Sequence, residues 1–184
     1  MPIESYKPLG LISILLTWAG LIFLIRKWPG SKSMTFSQHA AASRSSKLFY
    51  AILFSLTLPL LYMFVVKWFI PAFEMGSVFL AFVVIAITGQ LIAVWVPETV
   101  GVKKTVHYVG AYMMHTLLIP LTVLILFSAV SAPAKTVAVV ALTAMIAVWS
   151  MHFSKESVRK RALHFQSAYV AAFHLTILAS TYLR

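Results

Sequence analysis

The chain has 184 residues, 61% of them hydrophobic and 10% charged, against about 25% charged in an ordinary soluble domain. Its net charge of +11 would suggest nucleic acid in a soluble chain. Here the lysines and arginines are confined to connections between long apolar runs, so they read as topology signals facing lipid headgroups, with no nucleic-acid partner expected. Cysteine is absent, which excludes disulfides, thiolate zinc sites, iron–sulfur clusters and cysteine nucleophiles.

The first apolar run, 9–25, is followed at once by Arg26 and Lys27. A secretory signal puts its positive charge before the apolar stretch, so this run reads as a retained first helix. Trp28-Pro29-Gly30 ends it. The connection 31–47 is rich in serine and alanine, and 38–42 suits a short helix lying on the surface. A second span, 48–70, carries Pro59 near its centre and Lys67-Trp68 near its end. There the proline frees a carbonyl that Ser55 or Thr57 is placed to satisfy, and Lys67 snorkels to the headgroups.

The third span, 77–96, contains Gly89, read as a close-packing notch, and Gln90, which needs a partner inside the bundle. It closes with Trp95 and Pro97. A fourth span, 105–128, is broken after Ser131-Ala132-Pro133, and a fifth covers 134–153. In the fifth, Thr143, Ala147 and Ser150 form a small, faintly polar stripe suited to helix packing. Lys155, Glu156, Arg159, Lys160 and Arg161 lead into the sixth span, 163–183. The expected fold is therefore all-α, one polytopic domain over 1–184 built as a six-transmembrane-helix bundle.

Orientation follows from the positive charges. Connections after spans one, three and five hold eleven of them (Arg26, Lys27, Lys32, Arg44, Lys47, Lys103, Lys104, Lys155, Arg159, Lys160, Arg161), and the other side four (Lys7, Lys67, Lys135, Arg184). The N-terminus and the C-terminus are thus expected on the outer side of a bacterial inner membrane or plasma membrane. Trp28, Trp95 and Trp149 fall near the inner boundary and Trp68 near the outer one.

For chemistry, the stretch PETVGVKKTVHYVGAYMMHTLLIP, 97–120, is the most mixed. Glu98, Lys103 and Lys104 form an interfacial cluster at its mouth, read as a salt bridge; His107, Tyr112 and His115 follow on the helix. His39, His107, His152 and His164 lie near the inner face, where water reaches them. His115 and His174 lie eleven and thirteen residues beyond Lys104 and Arg161, about 17–20 Å into the span at 1.5 Å per residue. Matched depth on two helices running the same way makes them the leading intramembrane site, expected to approach one another.

Three roles stay open for the pair: hydrogen-bonded packing, axial ligation of a haem, or the lining of a polar path or substrate pocket. Met113 and Met114 read as packing residues. Aspartate is absent and none of the four glutamates is mid-span, so no catalytic residue is assigned and a zinc or triad hydrolase is not expected. Three function classes remain: a non-catalytic lipid- or partner-binding bundle, a haem-binding electron carrier, and a small transporter or proton relay. Membrane lipids are the expected partners, alongside a protein partner or a second copy of the chain.

The first inner loop, SMTFSQHAAASR, and a fourth span opening with HYVGAY after a PET turn resemble small six-helix membrane proteins related to the DRAM-like group. That resemblance covers the layout of most of the chain. It implies a six-helix bundle and carries no assigned reaction or binding residue with it.

Overall fold

The computed structural model describes residues 3–96, 98, 101–154, 156 and 160–183, with the side chains of 152–154 left aside. A 3₁₀ turn, Ile3–Tyr6, leads into α1, Lys7–Lys27. The short α2 is Phe36–Ala41, and α3, Arg44–Phe64, continues through a π-helical turn, Val65–Phe69, to Ala72. Then follow α4, Ser77–Trp95; α5, Val102–Leu126; α6, Ala132–Ser154; and α7, Ala162–Tyr182. Pro97, Lys155, Arg159, Arg184 and the His152 side chain, all used above, lie outside the described residues.

Six of these helices are long and apolar enough to cross a membrane, the build of an integral membrane protein. Their outward faces carry Leu15, Leu16, Leu56, Val140 and Leu175, each about half exposed or more. Water would penalise such surfaces, whereas hydrocarbon does not.

Each long helix packs against its neighbours in sequence, and α1 returns to α7, so the bundle closes in chain order. The closest pairings are α1 with α3, α4 with α5, and α6 with α7. Contact between α5 and α7 behind α6 makes the inner ring one of five helices, with the fifth span standing outside it. Both ends of the chain lie together, with Lys7 Nζ 5.1 Å from the Trp68 ring centre and 5.3 Å from that of Tyr182.

Small residues set the tightest seams. A Cβ on Gly89 would lie 2.6 Å from the Gly110 carbonyl oxygen, and one on Gly110 equally close to the Gly89 carbonyl, so α4 and α5 cross backbone to backbone. Gly89 is therefore a packing notch. On α6 the seam is Ala134, Ala138, Ala141 and Met145, all buried, while Thr143, Ala147 and Ser150 are exposed. The expected packing stripe thus faces outward: the alanine ridge permits closer approach, and the Thr143 hydroxyl is satisfied by donating to the Val139 carbonyl at 2.9 Å.

The connection after α1 also departs from expectation. Rather than lying on the surface, α2 folds into the end of the bundle and buries Phe36, His39 and Ala40. Capping boxes at Thr35–Gln38 and Ser43–Ser46 satisfy the amides on either side of it. The Phe36 amide donates to Gln166 Oε1 of α7 at 2.9 Å. With its polar ends satisfied, the segment can bury one apolar face.

Candidate functional site

Five of the six long helices, all but α6, wall a central cavity of about 110 Å³. Each contributes a stripe at helical spacing: Ser13, Thr17 and Leu21 from α1; Tyr50, Phe54, Leu58, Leu61 and Val65 along α3; Phe79, Val83, Ala86, Ile87 and Gln90 from α4; Met114, Leu118 and Leu121 from α5; Gln166, Val170, Phe173, His174 and Ile177 from α7. Phe36 of α2 closes one end. Tyr50 and Val65 lie fifteen steps apart, so the cavity wall on α3 and the turn that continues it extends about 22 Å along the helix axis.

Its polarity is graded. Tyr50, Gln90 and Gln166 gather at the α2 end, with the Tyr50 hydroxyl beside the Gln90 amide. Past His174 the wall is aliphatic and aromatic, apart from Ser13, whose hydroxyl is already given to the Thr57 carbonyl at 2.7 Å. At the far end the π-helical turn packs Phe69 against Phe79, ring centres 5.9 Å apart. Among the described residues no lysine, arginine or glutamate lines the cavity.

His174 is held from across the ring. The Trp18 indole N–H donates to its Nδ1 at 3.0 Å, joining α1 to α7. Since an indole nitrogen only donates, Nδ1 is the unprotonated nitrogen and the neutral ring carries its proton on Nε2.

His115 is placed elsewhere. Its Nδ1 lies 2.8 Å from the Ala111 carbonyl one turn back, and its ring packs on Tyr169, centres 5.6 Å apart. The Tyr169 hydroxyl donates to the His115 carbonyl. Five residues separate Tyr169 from His174, about 140° around α7 and 7.5 Å along it, so His115 packs against a different face from the one His174 presents. Haem ligation by this pair would need both imidazoles on one broad slot, whereas the cavity is narrow and takes only His174. Tyr112 also points away from it, 47% exposed, with its ring edge on Trp149.

A second cluster joins α2 to the α4–α5 turn. Glu98 accepts from the Tyr108 hydroxyl at 2.7 Å, from Gln38 Nε2 at 3.0 Å and from the Ser37 hydroxyl at 3.3 Å. His107, 2% exposed, donates from Nδ1 to the Val96 carbonyl at 2.8 Å. Its Nε2 lies 3.2 Å from Ser37 Oγ and 3.8 Å from Glu98. The single Ser37 hydroxyl proton serves either neighbour, not both. A void of about 10 Å³ adjoins the cluster, and Tyr50 lines it as well as the central cavity.

Two expectations are corrected here. Lys103 and Lys104 are exposed, and Glu98 is paired instead with His107, Tyr108 and the α2 side chains. His39 and His107 are not at a wet surface, because α2 folds inward, burying its own His39 and covering His107: His39 is 2% exposed, with Nδ1 3.3 Å from the Trp28 carbonyl. Trp18, Tyr50 and Gln166 were missed by sequence reasoning, since an aromatic or amide on an apolar helix carries no sign of which face it occupies. Comparison of the chain with protein families, with curated proteins and with solved structures finds no match.

Proposed function

We propose that the chain is a non-catalytic membrane bundle that binds an elongated apolar molecule, of the kind a bilayer supplies, in its central cavity. The observation that carries this is the cavity itself: about 110 Å³, drawn out along helices whose longest wall extends about 22 Å, and lined mostly by hydrocarbon side chains. A slender chain fits that shape; a broad macrocycle does not. We place the α2 end of the bundle inside and both termini outside, because eleven of the fifteen lysines and arginines fall in the connections at the α2 end.

Native mass spectrometry of the protein, gently purified from its membrane, tests the proposal. Wild type is expected to retain one apolar molecule that solvent extraction removes. Ala86→Phe, which places a ring in the cavity, is expected to retain none. Equal occupancy in the two proteins refutes cavity binding. A transporter or proton-relay reading is favoured by one observation only, that Tyr50 borders both the cavity and the Glu98–His107 cluster. Proton flux in reconstituted vesicles that falls with Tyr50→Phe would support it.

A further inference from the structure

We infer that the cavity selects a neutral, single-chain lipid bearing a carbonyl oxygen, and that the Nε2–H of His174 is the donor that recognises it. This rests on the cavity-binding reading above and specifies the ligand's head.

Charge excludes most membrane lipids. No lysine, arginine or glutamate lines the cavity among the described residues, so a carboxylate or phosphate drawn into it would be a buried ion without a counter-ion. Nor does His174 provide one. While Trp18 donates to Nδ1, the ring is neutral. A phospholipid or an ionised fatty acid is therefore a poor occupant.

Donors select what remains. His174 lines the cavity and is partly exposed to it. With Nδ1 taken by Trp18 its Nε2–H has no partner among the described residues. An N–H facing an apolar space is costly unless an acceptor arrives, and a pure hydrocarbon brings none. A ketone, aldehyde or quinone oxygen accepts from it and asks for no proton in return. The wall beyond His174, toward Leu61, Val65 and Phe79, takes the chain, so the carbonyl points to the α2 end and the tail to the π-helical turn.

The test uses delipidated full-length protein in detergent, with native mass spectrometry reading the affinity of four probes short enough for the wall beyond His174: 2-undecanone, a short-tailed prenylquinone, undecane and decanoate at neutral pH. Both carbonyl probes are expected to bind at least tenfold more tightly than undecane and decanoate; whichever of the two is tighter identifies the ketone or quinone source. His174→Phe, which keeps the ring volume, is expected to erase the tenfold preference and leave undecane unchanged, while His174→Gln, which retains an N–H, recovers part of it. On wild type alone, the infrared carbonyl stretch of ¹³C-labelled 2-undecanone is expected to move to lower wavenumber on binding, so the inference is testable even if a variant does not fold. Equal affinity for ketone and alkane, tighter binding of decanoate, or an unshifted carbonyl stretch overturns the inference but leaves cavity binding standing. Failure of all four probes, undecane included, overturns the cavity reading itself.

Discussion

Replacing Gly89 by alanine tests the tightest seam in the molecule. The new Cβ would stand 2.6 Å from the Gly110 carbonyl oxygen, 2.8 Å from Met113 Cβ and 3.1 Å from the Met114 nitrogen, where ordinary contact begins at 3.4 Å. The shortfall of about 0.8 Å is against backbone, which no rotamer relieves, so α4 and α5 must part by roughly that distance. Overpacking of this kind costs about 1–3 kcal/mol. Exchanging glycine for alanine inside a helix returns up to about 1 kcal/mol. The net expectation is a loss of about 1–2 kcal/mol, read from reversible unfolding in mixed micelles of increasing SDS fraction, followed by circular dichroism. Gly20→Ala is the comparison: its Cβ would come within 2.5 Å of the Leu53 methyls and 3.0 Å of its Cγ, but this obstacle is a side chain that a change of rotamer can move, so the loss is expected to be smaller than for Gly89→Ala. Should Gly89→Ala unfold with wild type, or Gly20→Ala prove the costlier of the two, the backbone-contact account of the α4–α5 crossing is wrong.

Phe36→Ala removes a ring that is 4% exposed and meets Trp18 edge-on at 6.5 Å, so it should cost about 3–5 kcal/mol in the same unfolding assay. A loss below 1 kcal/mol would show that α2 does not plug the bundle. Glu98→Gln exchanges the charged acceptor for Tyr108, Gln38 and Ser37 for a neutral one; hydrogen bonds to charged groups contribute about 1.5–3 kcal/mol each, so amides 36–41 should exchange faster with deuterium. Unchanged exchange there would assign the hold on α2 to Phe36 and Gln166 alone. For orientation, Ser5→Cys and Ser33→Cys lie at exposed positions at opposite ends of the bundle. An impermeant thiol reagent applied to intact cells should label the first and spare the second, and the reverse pattern would invert the topology.

What the sequence made legible was set by hydrocarbon. Apolar runs long enough to cross a bilayer need their backbone bonds satisfied internally, so 77–96 could hardly be other than the helix found at Ser77–Trp95, and the remaining spans agree to within a few residues. Gly89 was legible for a related reason, since few roles other than close approach suit a glycine in a buried helix. Rotation about each helix axis was not legible. Helices that are apolar nearly all round give no moment to say which stripe faces inward, and so His115 and His174 matched in depth but not in direction. Depth also misled for His39 and His107. Their distance from the span centre was sound, but wetness depended on α2 folding back, a long-range event whose only local trace was the Thr35–Gln38 and Ser43–Ser46 capping pairs.

The ring in chain order bears on how the molecule is made. Each of the three closest pairings joins consecutive long helices, so each can zip up as a hairpin soon after the ribosome delivers it, with little loop entropy to overcome. The cavity is different. Its wall is open until α7 arrives, and the bond that closes it, Trp18 to His174, spans 156 positions of the chain. Nothing can be enclosed by a partly synthesised protein, and the step that completes the pocket is the same one that sets the His174 proton.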